Sequence, residues 1–100
     1  MLIARIDVAH YKIPLPKVLS DSTHGEIRHF AVVVVRIATD DGVEGVGYTY
    51  MVGNTGGSAI RHLAEDDLAP RLLGQDPRET ERLWKMMWWA THYVGRGGPA

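Results

Sequence analysis

Apolar positions in the first half of the chain keep a two-residue rhythm. Leu2, Ala4, Ile6 and Val8 alternate with Arg5 and Asp7, which predicts a half-exposed strand. At Tyr11 and Ile13 the large apolar residues move to odd positions. One extra residue near Ala9-His10 would produce that slip, so a bulge or twist is expected there. Pro14 and Pro16 offer no backbone donor and are expected to close the strand. Residues 30–37 are nearly all apolar and rich in β-branched Val, without the alternation of a half-buried strand. They predict a strand covered on both faces, with Val32, Val33, Val34 and Val35 at the centre of the core. Asp41-Gly42 follows, and Asp-Gly between two such runs predicts a hairpin with a type I′ turn. In the return run Val46, Tyr48 and Tyr50 share one face while Gly45, Gly47 and Thr49 share the other. So small a second face predicts a close neighbour.

The rhythm then changes to that of helices. Ile60, Leu63, Ala64 and Leu68 fall on one face of a helix expected from Ala59, with Thr55 or Ser58 as its N-cap and a stop or kink near Ala69, before Pro70. Asp76-Pro77-Arg78-Glu79 reads as a second helix start, with Asp76 as cap, Pro77 at N1 and Glu79 at N3. Leu83, Met87, Ala90 and Val94 form its apolar stripe, Glu81 and Lys85 an i, i+4 ion pair, and Gly95, Gly97 and Gly98 its end. Between the first two strands, residues 16–27 are polar and without period, and predict a surface loop.

Composition narrows the function classes. Eleven basic and 12 acidic residues are well mixed at a net charge of −1, which leaves no basic stripe for nucleic acid. With no cysteine there is no disulfide, thiolate or zinc-thiolate chemistry, in keeping with a reducing compartment. No apolar run approaches the ~20 residues that span a bilayer, and the start lacks the apolar core of a signal peptide. A cytoplasmic protein is expected. The five histidines, at 10, 24, 29, 62 and 92, show no H-x-x-x-H spacing, so no local metal site is expected. The run from Gly53 to Gly57 precedes a helix, but no Lys-Ser/Thr follows to make a phosphate loop. Trp84, Trp88 and Trp89 read as packing surface that needs more cover than these residues supply. Residue chemistry alone names no catalytic group.

The order of elements and two phrases carry a resemblance. They are T-x-x-G-x-x-G-x-G from Thr39 to Gly47 and P-x-L-x-G-x-D-P from Pro70 to Pro77, set between IARIDVAHYKIPLP and ETERLWKMMW. The whole chain resembles the N-terminal capping domain of the enolase superfamily, in its mandelate racemase and muconate lactonizing enzyme branch. That resemblance implies an α+β fold: a three-stranded antiparallel meander followed by helices, capping a modified TIM barrel. Residues 1–100 would be the cap, and the barrel is missing from them. A barrel takes ~250 residues.

The resemblance also implies the chemistry. Such enzymes abstract a proton α to a carboxylate, with Mg²⁺ held by the barrel. No catalytic residue or metal ligand carries over to this chain. What carries over is a lid, formed by residues 17–27 and 50–56. Ser22, Thr23, His24, Tyr50, Val52 and Asn54 are its substrate-binding candidates. The implied substrate is a small carboxylic acid, an acid sugar first, and the reaction a dehydration. A racemase, epimerase or cycloisomerase is the alternative within the superfamily, and a free-standing α+β binding module the alternative outside it. The implied partners are the chain's own barrel and further copies in a homo-oligomer, with neither nucleic acid nor membrane.

Overall fold

In this computed structural model residues 1–23 and 25–94 are described, and Asp21 by its backbone alone; His24, Gly95, Gly97 and Gly98 lie outside the described residues. Strands β1 (Ile3–Asp21), β2 (Gly25–Thr39) and β3 (Glu44–Val52) form one antiparallel sheet in the order β1-β2-β3. The helical half follows: α1 (Gly57–His62), a π-helical stretch (Leu63–Leu68), α2 (Ala69–Leu72), α3 (Thr80–Ala90) and a 3-10 turn (His92–Val94). This is the expected meander followed by helices.

The β2–β3 turn stands where it was expected but has another form. Thr39 and Val43 close a loop of three residues, Asp40-Asp41-Gly42. Thr39 N–H donates to Val43 O at 2.9 Å, and Gly42 N–H donates to Thr39 O at 3.2 Å. Gly42 has φ 88°, whereas no described non-glycine residue has positive φ. A type I′ turn needs positive φ at both central residues, so the loop is instead a turn closed by one left-handed glycine. Asp41 contributes through its side chain. Its carboxylate accepts the Thr39 hydroxyl, which holds the acid below the usual carboxylate range.

β1 departs from its expectation at both ends. Its pairing with β2 runs without a break from Arg5–Ala38 to Pro14–His29, so there is no bulge at Ala9-His10. The slip in the sequence pattern has a different cause: His10 faces the helices while Tyr11 and Ile13 face the other side, and both sides of the strand carry apolar residues. The register shifts fall at Ile3/Arg5 and at Pro14/Leu19. The first sets Ile3 opposite the buried Thr39 and buries Ile3 with it. The second is where the two prolines act. Residues 15–18 of β1 stand against Arg28 alone on β2, so the missing N–H of Pro16 interrupts no rung. The prolines therefore do not close the strand. Beyond them Leu19–Ile27, Ser20–Glu26 and Asp21–Gly25 pair again. The expected surface loop is a two-stranded arm, with Ser22 and Thr23 at its tip.

α1 begins against the sheet at Gly57, where a Cβ would stand 2.5 Å from His10 Nε2 and 3.3 Å from the Ala31 methyl. Neither Thr55 nor Ser58 caps it. The N-cap is Gly56 at φ 86°, with no side-chain hydrogen bond. The helical path does not stop at Ala69. The wider π turns of Leu63–Leu68 lead into α2, whose first turn receives Pro70, where a missing N–H and a bulky ring are tolerated. Gly74 then ends the segment, and its N–H donates to Ile3 O at 2.8 Å while Ile3 N–H donates to Gln75 O at 2.8 Å. Asp76 does cap, but one turn early. Its carboxylate accepts Arg78 N–H at 3.0 Å and both Nε and Nη2 of Arg78, whereas α3 proper starts at Thr80 with no side-chain cap. At that start the ion pair is Arg82 with Glu79, at 2.6 Å, rather than Glu81 with Lys85.

Ala31 and Val33 are 0% and 1% exposed, and among the described residues Ile3, Ala69 and Leu83 are the other buried apolar side chains. Val32 and Val34, on the opposite side of β2, are only half-buried. Within this chain the helices lie on one side of the sheet, and Tyr11, Ile13, Val46, Tyr48 and Tyr50 are exposed on the other, so the described residues cover one face of β2. Among the described residues nothing packs closely on Gly45 and Gly47. α1 sits on β1 and β2, a Cβ on either glycine would meet no atom within 4 Å, and an apolar hollow of about 740 Å³ opens there beneath Ile60 and Ala64. Leu83 faces inward as expected, whereas Val94 is exposed.

Gly42→Val should lower stability by about 1–2 kcal/mol, since a β-branched residue resists positive φ. Asp41→Asn keeps an acceptor for Thr39 and should cost less, and thermal melts that fall equally for both would contradict this turn geometry. A second expectation concerns acid. Arg78, through its guanidinium and then its backbone N–H, holds the Asp76 carboxyl down to about 2, against an ordinary value of 3.8. The folded value is the lower one, so this contribution is present above about pH 4 and is lost as pH falls towards 2. The melting gap between wild type and Asp76→Asn should therefore close over that interval; a gap independent of pH would refute the linkage.

Candidate functional site

β3 pairs with β2 only from Ala38–Glu44 to Ala31–Met51, so the first part of β2 belongs to the β1–β2 arm. Antiparallel order then puts the arm tip, the last residues of β3 and the start of α1 at one end of the sheet. The Asp40-Asp41-Gly42 turn lies at the other end. The two segments expected to form the lid share the first of these ends.

Each candidate has a distinct setting. Ser22 and Thr23 are exposed at the arm tip. His24 lies outside the described residues. Tyr50 stands opposite Val32, and its ring stacks on Phe30 with centroids 5.6 Å apart and planes at 19°. That stack orients a phenol whose outer side is open. Val52 is exposed at the end of β3. Asn54 sits in a tight turn between Gly53 (φ 71°) and Gly56 (φ 86°), anchored where Gly53 N–H donates to His29 O at 3.0 Å. Glycine is required at both hinges because side chains resist these left-handed conformations.

One residue that sequence reasoning passed over belongs to this end. His10 Nε2 lies 3.1 Å from Asn54 Oδ1. The available signal was its place between Val8 and Tyr11 on a strand, because a half-buried imidazole needs a polar partner.

Chemically, the end offers hydroxyls, a phenol and an amide, groups that hydrogen-bond to a polyhydroxy acid. Its described residues do not make a cation site. Mg²⁺ needs carboxylate oxygens that converge, and among the described residues no three His, Asp or Glu side chains do so. Several acids are engaged elsewhere: Asp7 with Arg5, Glu26 with Arg28, Asp76 with Arg78 and Glu79 with Arg82. The described residues of this chain do not fit Mg²⁺. On α3 the exposed Trp84 stacks on Trp88 at 6.1 Å and Trp88 meets Trp89 edge-on at 5.1 Å, a row that reads as packing surface. Among the described residues no helix is long and apolar enough to cross a membrane.

Comparison with known proteins agrees with this architecture. Residues 3–95 match the family model described as mandelate racemase / muconate lactonizing enzyme, N-terminal domain. The 3,6-anhydro-alpha-L-galactonate cycloisomerase of Streptomyces coelicolor is 48% identical over 99 residues, which is 99% of this chain and 27% of that protein. The L-talarate/galactarate dehydratase of Salmonella typhimurium is 36% identical over 70 residues, 70% of this chain and 17% of the relative. Among solved structures, a racemase from Streptomyces coelicolor A3(2) with bound magnesium superposes with a TM-score of 0.93 at 48% identity, over 98% of this chain and 27% of its own. L-Talarate dehydratase from Polaromonas sp. JS666, complexed with Mg and L-glucarate, gives 0.89 at 27% identity, over 98% of this chain and 27% of its own. The chain thus spans about a quarter of the length of the relatives that it matches end to end. It belongs to the mandelate racemase / muconate lactonizing enzyme N-terminal domain family, within the enolase superfamily.

Proposed function

We propose that this chain is the capping domain of a longer, Mg²⁺-dependent, cytoplasmic and homo-oligomeric enzyme, and that the arm tip and the turn at residues 50–56 form the lid over its site. The substrate is an acid sugar, and the first chemical step is loss of the proton α to its carboxylate. The supporting observation is that Ser22 and Thr23 on the arm, and Tyr50 and Asn54 on the turn, lie at one end of the sheet, the turn carrying the stacked phenol and the hinge glycines. Such an end can shut on a small polar ligand, exclude water and orient it, while the base and the metal lie outside this chain.

The first reading is a dehydratase, in line with the L-talarate/galactarate dehydratase relative. The 48% identity to a 3,6-anhydro-alpha-L-galactonate cycloisomerase favours a second. The two are close in chemistry. Once the α proton has gone, an oxygen on the β carbon leaves. A free hydroxyl leaves as water, while in a 3,6-anhydro acid that oxygen belongs to the ring and its departure opens the ring.

The reading frame should continue past Ala100 into a barrel with carboxylate ligands; a stop codon there would favour a free-standing binding module. The isolated 100 residues should show only background turnover with a panel of aldarates, aldonates and 3,6-anhydro-L-galactonate, and turnover abolished by a chelator would overturn the assignment as a cap. In the full-length enzyme, Thr23→Ala and His24→Ala should each lower kcat/KM by about fivefold or more with no change in melting temperature. Unchanged kinetics in both would remove the arm tip from the site.

A further inference from the structure

Asn54 is held from behind. His10 lies on the helix-facing side of β1 opposite Val33, half-buried beneath the first turn of α1. Its ring has little freedom on that side, since a Cβ added at Gly57 would stand 2.5 Å from Nε2 and 2.8 Å from Cε1. Across this contact Nε2 lies 3.1 Å from Asn54 Oδ1, and a ring that carries its proton on Nε2 donates to that oxygen. The main chain around Asn54 is tied as well: Gly53 N–H donates to His29 O at 3.0 Å, and Gly57 N–H donates to Asn54 O at 3.4 Å. Two hydrogen bonds thus tie the backbone of this turn to β2 and α1, and His10 adds a third tie through the Asn54 side chain, which steadies the turn and orients its amide.

An amide whose oxygen is already engaged presents its NH₂ group elsewhere. Two N–H donors suit carboxylate and hydroxyl oxygens, whereas an amide oxygen turned the same way would repel a carboxylate. The last torsion of Asn is broad and roughly two-fold, so without a partner the amide offers either end. We propose that His10 is a positioning residue: by occupying Asn54 Oδ1 it presents the Asn54 NH₂ group to an oxygen of the acid-sugar substrate, and it acts on substrate selection without touching substrate. The assignment rests on the lid function proposed above.

The test is a double-mutant cycle in the full-length enzyme, with Mg²⁺ and with galactarate and 3,6-anhydro-L-galactonate as probes, alongside hydrogen exchange of residues 53–57. His10→Ala should lower kcat/KM about tenfold, chiefly through KM, with melting temperature unchanged. His10→Gln, whose side-chain amide can donate from near the same place, should recover most of that loss. In an Asn54→Ala background, His10→Ala should add less than about twofold, because both changes remove one unit. Exchange at residues 53–57 should rise in His10→Ala and return towards wild type in His10→Gln, whichever acid is turned over. Full additivity with Asn54→Ala, equal loss in the Ala and Gln variants, or unchanged exchange in His10→Ala would each overturn the assignment. If Asn54→Ala is silent while Ser22→Ala or Thr23→Ala is not, the lid stands and His10 has no such role. If all three are silent, the lid itself is wrong.

Discussion

Everything in this fold hangs on β2, because β1 and β3 each pair with it and not with one another. A sheet three strands wide offers one layer of cover to one layer of helix. The chain leaves β3 at the end where the arm also springs, and the tight turn at residues 53–56 sends it across a single side. Val33 and Ala31 are buried by that crossing, each such side chain removed from water contributing up to ~1.5–3 kcal/mol for a residue of valine's size. The other side keeps its tyrosines and valines in the open. Gly57 lets the helix come near, since a Cβ there would stand 2.5 Å from His10 Nε2 and 3.3 Å from the Ala31 methyl and would push the imidazole aside.

Much of this was legible in the residues. The Asp-Gly signal placed the β2–β3 reversal, alternation sorted Val46, Tyr48 and Tyr50 from Gly45, Gly47 and Thr49, and of the helical stripe Leu83 is buried, Met87 and Ala90 are half-buried and Val94 is exposed. What failed did so for physical reasons. Turn type depends on which pair closes the loop, and the Thr39–Val43 closure is not visible in an Asp-Gly dipeptide. The run of valines is covered on one face by the helices of this chain, and its other face is open here. A strand with apolar residues on both sides changes parity without any bulge, and that is what happens at Tyr11. The real irregularities are at Ala4 and around Pro16, where small or donor-less residues sit quietly in an otherwise strand-like pattern. A π-helical stretch that accommodates Pro70 leaves no mark in hydrophobic periodicity at all.

The candidate site divides in the same way. Its two segments came from resemblance, and strand order puts them at one end of the sheet. The contact between His10 and Asn54 joins residues 44 positions apart, and nothing local in either stretch announces it. Long-range polar pairs of this kind depend on register, which in β1 is set by shifts that the pattern concealed.

The arm has a consequence for how such a cap can change over generations. Beyond Leu19–Ile27 the two strands pair only with each other. Adding or deleting a facing pair of residues there would move the tip by ~3.3 Å and disturb no rung of the sheet below. A single unmatched insertion would instead turn every side chain past it to the opposite face. Length at the tip can therefore drift in matched steps while the packed half of the domain stays as it is, which separates the part that varies from the part that must not.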